Sequence, residues 1–166
     1  VMFIPGLEAS RLYRPDYNGG TDQLGEPNTD SDTNDLFLTE VGEGFREDIY
    51  TRDVIDEAFG GGPNIYKSFI KQMNGLKADG VIADFKATPY DWRLSLDDIL
   101  DNGDEFSDGR IYYSGVHSAT TSPYIITQLR RLAQSSRTGK VTIVAHSNGG
   151  LITKALIQKL GETESE

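Results

Sequence analysis

The chain contains no cysteine. That excludes disulfides, thiolate nucleophiles and cysteine-type zinc sites together, while leaving the compartment open. Basic residues are also scarce, with 16 Lys and Arg against 26 Asp and Glu, a formal charge of -10. Such an excess of negative charge repels nucleic acid and anionic lipid surfaces, and its simplest consequence is solubility. No apolar stretch is long enough to span a bilayer. No internal repeat, coiled-coil heptad or metal-ligand cluster is visible. Acid-base chemistry has only two histidines to draw on, His117 and His146.

Against these absences stands one dense feature. Residues 140–160 read KVTIVAHSNGGLITKALIQKL, a short β-branched run, a serine among small residues, then an apolar pattern at helical spacing. Val141, Ile143 and Val144 suit a buried parallel strand, and Leu151, Ile152, Ala155, Leu156 and Leu160 suit one face of a helix. Ser147 therefore falls on a strand-to-helix turn, the setting of a nucleophile elbow. Such a turn brings the residues two before and two after the serine together, so both must be small. Here they are Ala145 and Gly149, one methyl group away from G-x-S-x-G. The helix that follows offers free N–H groups and a charge of roughly +0.5 to a developing anion. Asn148 supplies the N–H beside the serine. An ordinary strand-turn-helix joint of a doubly wound protein would read much the same way.

The rest of the chain gives this turn a context. Val1, Met2, Phe3 and Ile4 form a short apolar strand candidate ended by Pro5-Gly6. Residues 14–35 turn to Gly, Asp, Asn and Thr without hydrophobic period, and 14–63 as a whole read as a loop-rich insertion or cap. Asn64 can cap a helix with Tyr66, Phe69, Ile70, Met73 and Leu76 on one face and Gly80 at its end. Residues 81–88 follow as a strand, then an acidic loop runs to Gly109, and 110–114 can form a short extra strand. Ser122-Pro123 is a helix start, and Ile126, Leu129 and Ala133 form that helix's inner face. Strands alternating with helices imply an α/β fold with a parallel sheet, whose sites form at the carboxyl ends of the strands. Pro5-Gly6-Leu7, the segment 90–93 and Ser147 converge there.

An acyl-transfer serine needs a second N–H donor opposite its own turn, from the loop after the strand that opens this chain. Pro5-Gly6 bends that loop so that Leu7 N–H can serve; alone, it is a plain Pro-Gly turn. Tyr90, Asp91, Trp92 and Arg93 read either as a local Asp91–Arg93 pair with Trp92 packed over the sheet end, or as a wall of a substrate site. His146 precedes the serine, and adjacent side chains at such a turn point apart, which disfavours it as the base. His117 lies in a Ser/Thr-rich loop. Asp30, Asp32 and Asn34 imitate the start of a calcium loop, but Asp35 replaces the glycine and Val41 the glutamate that such a loop needs. Gly139-Lys140 is followed by Val141 rather than Ser or Thr, so no phosphate loop forms.

Three segments in this order, Phe3-Ile4-Pro5-Gly6-Leu7-Glu8-Ala9-Ser10-Arg11-Leu12, Pro89-Tyr90-Asp91-Trp92-Arg93 and Ala145-His146-Ser147-Asn148-Gly149-Gly150, resemble the lecithin-cholesterol acyltransferase family, most of all its uncharacterised bacterial branch. The resemblance spans nearly the whole chain. It implies an α/β-hydrolase fold and serine-dependent acyl transfer or hydrolysis on lipid esters, without metal or cofactor. Ser147 matches the family's nucleophile, and the backbone N–H groups of Leu7 and Asn148 match its oxyanion donors. The family's aspartate and histidine lie after the elbow, outside these 166 residues, so the expectation is the N-terminal part of one α/β-hydrolase domain, inactive by itself. A lipid or acyl-ester substrate and a peripheral membrane contact agree with the resemblance. An esterase on small soluble esters, or a non-catalytic acidic binding module with a vestigial serine, are the alternatives.

Overall fold

A computed structural model of the chain describes residues 1–24, 30–42, 46–58, 61–113 and 123–163. Its elements, in order, are β1 (Met2–Ile4), β2 (Ser10–Pro15), β3 (Thr21–Gln23), α1 (Asp30–Asp35), β4 (Tyr50–Val54), α2 (Lys67–Ala78), β5 (Lys86–Ala87), α3 (Leu96–Asp101), β6 (Asp104–Glu105), β7 (Ile111–Tyr112), α4 (Tyr124–Ser135), β8 (Ile143–Ala145) and α5 (Asn148–Thr163). The fold is mixed α/β, with a three-stranded parallel sheet ordered β5-β1-β8 and a five-stranded sheet ordered β3-β2-β4-β7-β6. All four pairings of the second sheet are antiparallel.

The parallel sheet follows from a strand that is apolar on both faces. Met2 and Ile4 point into a core with Ile99 and Leu100 of α3, Ile125 and Leu132 of α4, and Ile152 and Leu156 of α5. Phe3 points the other way, with its ring 4.9 Å from those of both Tyr66 and Phe69 beside and within α2. β1 is the middle strand, and β8 pairs with it in parallel register, Met2 opposite Ile143 and Ile4 opposite Ala145. This register delivers the ends of β1 and β8 side by side.

Several boundaries differ from the sequence expectations for physical reasons. The segment 14–63 is not loop-rich throughout, because β2 pairs with β3 and β4, and α1 and β4 lie inside it. Only Lys86–Ala87 of residues 81–88 is strand, since Val81 closes α2 with its N–H on Leu76 O and Gly80 donates to Lys77 O, the two bonds of a Schellman end. α2 starts at Lys67 rather than at Asn64, although Asn64 Oδ1 still accepts the Ser68 N–H at 3.3 Å. The acidic stretch before Gly109 holds a helix, α3, whose N-cap Ser95 accepts the Asp98 N–H. The expected strand at 110–114 is β7; Ser114, His117 and the helix-start Ser122 lie outside the described residues.

Candidate active site

β8 ends at Ala145 and α5 begins at Asn148, so the chain reverses within two residues, and Ser147 takes φ of +51°. A side chain rarely occupies that left-handed region, and holding one there costs of order 1–3 kcal/mol. The surrounding backbone enforces it. His146 N–H bonds to Ile4 O at 3.1 Å, Gly149 N–H to His146 O at 2.9 Å, and Gly150 N–H to Ser147 O at 2.8 Å. A Cβ on Gly149 would lie 2.3 Å from Ile4 O and 2.6 Å from Pro5 O, so only glycine fits against β1. Gly149 is crowded, but its nearest neighbours are the Ile4 and Pro5 backbone rather than the expected Ala145. Gly150 is different: a Cβ there would meet nothing within 4 Å.

The loop after β1 packs directly on this turn. A Cβ on Gly6 would lie 3.0 Å from His146 Nδ1 and 3.3 Å from Ser147 Cβ. Glu8, next in the loop, has φ of +55°, and Ala9 N–H closes the turn on Gly6 O at 3.3 Å. Leu7 and Asn148 therefore flank Ser147 on two adjoining segments. Among the described residues, neither the Leu7 nor the Asn148 backbone N–H donates a hydrogen bond, and the Ser147 hydroxyl has no partner. Ser147 is exposed, and the Leu7 side chain is 57% exposed.

Tyr90, Asp91, Trp92 and Arg93 stand behind the turn rather than around an open cleft. Asp91 and Arg93 form a bidentate pair, Nε to Oδ1 at 2.9 Å and Nη2 to Oδ2 at 2.5 Å, with side chains only 6% and 5% exposed. Trp92 Nε1 donates to Ser10 O at 3.0 Å, and Tyr90 N–H donates to Ser10 Oγ at 3.1 Å. Of the two roles open to this segment, the geometry matches the local ion pair with packed tryptophan. Tyr90 goes further: its buried hydroxyl donates to Pro5 O and Gly6 O at 3.1 and 3.0 Å and accepts from Asn148 Nδ2 at 3.3 Å. Burial, with a smaller push from the Tyr66 phenol and against the pull of Asn148, raises Tyr90 to about 12, so it stays protonated and keeps its donor.

Sequence reasoning gave Tyr66 to the inner face of a helix and missed its polar role. Its hydroxyl accepts the Gly6 N–H at 3.2 Å and meets His146 Nδ1 at 2.8 Å. His146 Nδ1 is thus occupied by the phenol. No local pattern marks this contact, because it joins residues 60 and 80 positions apart.

Asp30–Asp35 is helical, which is not a calcium-loop conformation, and Asp35 pairs with Arg14 and Arg46. Among the described residues no group of three or more His, Asp or Glu could hold a metal, and no helix is long and apolar enough to cross a membrane. A cavity of about 160 Å³ lined by Val1, Asp84, Leu132, Lys140 and Thr142 sits at the start of β1 and β8, the opposite end of the sheet from Ser147. No family model, curated protein or solved structure matches the chain.

Proposed function

We propose that the chain carries the nucleophile and oxyanion donors of a serine-dependent lipid-ester hydrolase or acyltransferase with an α/β-hydrolase fold. The observation that carries this reading is the left-handed Ser147, exposed at the start of α5 between two backbone donors, Leu7 N–H and Asn148 N–H, that have no acceptor among the described residues. Strain at a tight turn is retained where the surroundings over-determine it, and functional sites are where such residues cluster. The side-by-side ends of β1 and β8 support the fold, since an oxyanion loop and an elbow must face each other across one acyl group.

In this mechanism a base takes the proton from Ser147 Oγ, which bonds to the acyl carbon as the carbonyl π pair moves onto oxygen. The Leu7 and Asn148 N–H groups hold that oxyanion, and each such donor is typically worth about 10²- to 10³-fold in rate. The pair returns, the C–O bond to the alcohol breaks, and the base's proton leaves with the alcohol. Water or a second alcohol then attacks the acyl-serine by the same steps in reverse. His146 Nδ1 is engaged by Tyr66, and the base is assigned, as the family resemblance implies, to a histidine other than His146.

The test is labelling of the full-length protein with an active-site-directed fluorophosphonate. Label on the unsubstituted protein that disappears in Ser147→Ala is the expected result; no label, or equal label in the variant, would overturn the reading. Faster turnover of long-chain than short-chain esters is expected, and the opposite preference would replace lipid esters with small soluble ones.

A further inference from the structure

Two phenols hold the loop that bears Leu7, and each reaches a residue next to Ser147. Gly6 N–H donates to Tyr66 Oη, and the Tyr66 hydroxyl meets His146 Nδ1. Because an N–H already occupies one lone pair of that oxygen, the phenol proton is free to be donated to the imidazole. The Tyr90 proton is shared between Pro5 O and Gly6 O, while Asn148 Nδ2 donates back to the same oxygen. The Pro5-Gly6-Leu7 backbone is thus tied to His146 and Asn148, the two neighbours of the serine in sequence.

Both anchors are fixed from behind. Tyr90 is fully buried, with its N–H on Ser10 and a buried Asp91–Arg93 pair following it. Tyr66 sits at the start of α2 with its ring edge on Phe3. A loop containing glycine and a left-handed Glu8 has many alternative conformations, so something must select one. We propose that Tyr66 and Tyr90 are positioning residues that lock Leu7 N–H in register with Asn148 N–H across Ser147. The inference rests on the hydrolase reading for its catalytic consequence, but not for the locking itself.

Tyr66→Phe and Tyr90→Phe in the full-length protein keep both rings and remove only the hydroxyls. Tyr124→Phe is the control, since the Tyr124 hydroxyl is buried without a hydrogen-bond partner among the described residues. Amide exchange by NMR is expected to speed up at least tenfold at Gly6 in Tyr66→Phe and at Ala9 in Tyr90→Phe, with α4 unchanged, and Tyr124→Phe is expected to alter neither loop amide. Fluorophosphonate labelling is expected to lose on the order of 10- to 100-fold in its limiting rate, with half-saturation unchanged, as for a misplaced reacting group. Unchanged loop exchange in both variants overturns the proposal. So does faster exchange with an unchanged limiting rate, which reduces the phenols to a structural role. Faster exchange in the variants with no Ser147 label on the unsubstituted protein overturns the hydrolase reading alone.

Discussion

In the parallel sheet, β1 hides three apolar side chains on two faces and makes no side-chain ion pair. In the antiparallel sheet, β2 and β4 bury rings beneath charges. Tyr13, Tyr50 and Tyr112 stand opposite one another on neighbouring strands, with Tyr13 and Tyr50 5.6 Å apart and Tyr50 and Tyr112 5.3 Å apart. Arg52 covers the Tyr13 ring at 4.4 Å and Arg110 the Tyr50 ring at 4.9 Å. Arg11 bonds Asp53 and Asp56, and Tyr13 donates to Asp53 at 2.8 Å. Both sheets are held by backbone pairing; β1 adds only apolar contacts, whereas the antiparallel sheet adds cross-strand rings capped with guanidinium groups. The difference teaches where precision resides. The parallel sheet makes the tight joint to the elbow, because Gly149 leaves no side chain between α5 and the Ile4 and Pro5 carbonyls.

Substitutions can break that contrast. The largest effect is expected at the junction of the sheets: Asp91→Ala leaves Arg93 buried and unpaired and should cost about 3–5 kcal/mol in denaturant unfolding. A loss below about 1 kcal/mol would show that the pair is solvated. Gly149→Ala should cost about 3 kcal/mol, since the new methyl group meets the Ile4 and Pro5 carbonyls, whereas Gly150→Ala, in open space on the same helix, should be neutral or stabilise by up to about 1 kcal/mol. Equal effects at the two glycines would mean that β1 and α5 are not in close contact. Smallest is Ser147→Gly, which should raise stability by about 1 kcal/mol through relief of the left-handed backbone, read as a higher midpoint with unchanged slope.

What was legible beforehand follows the same division. Val141, Ile143, Val144 and the apolar period from Leu151 to Leu160 announce β8 and α5, although β8 is an edge strand and only half-buried; Val1 to Pro5 announces β1, because burial on both faces leaves a continuous apolar run. β2, β3 and β4 read SRLYRP, TDQ and YTRDV; these strands are short and carry few aliphatic side chains, and the Gly, Asp, Asn and Thr around β3 mask them as loop. α3 had a signal that composition hid: Ser95 three residues before Asp98, then Ile99 and Leu100, is a capping pattern inside an acidic stretch. Within the site, the small residues around Ser147 predicted the turn, whereas Tyr66 and Tyr90 act across 60 to 85 positions and leave no local trace. The fold shown is mixed α/β, and the proposal of an α/β-hydrolase rests on the three motifs and on the parallel sheet together.

The contact between Gly149 and the Ile4 and Pro5 carbonyls has a consequence for how this protein can vary. Helix and strand meet there through main-chain atoms, which every sequence shares, so the serine's coordinates do not depend on which side chains fill the core. Met2, Ile152 or Leu156 can drift in shape, softening the interior, while the Ser147 turn keeps its place. The joint behaves as a mechanical datum: tolerance in the packing is absorbed elsewhere, and a single added methyl group is enough to destroy the reference.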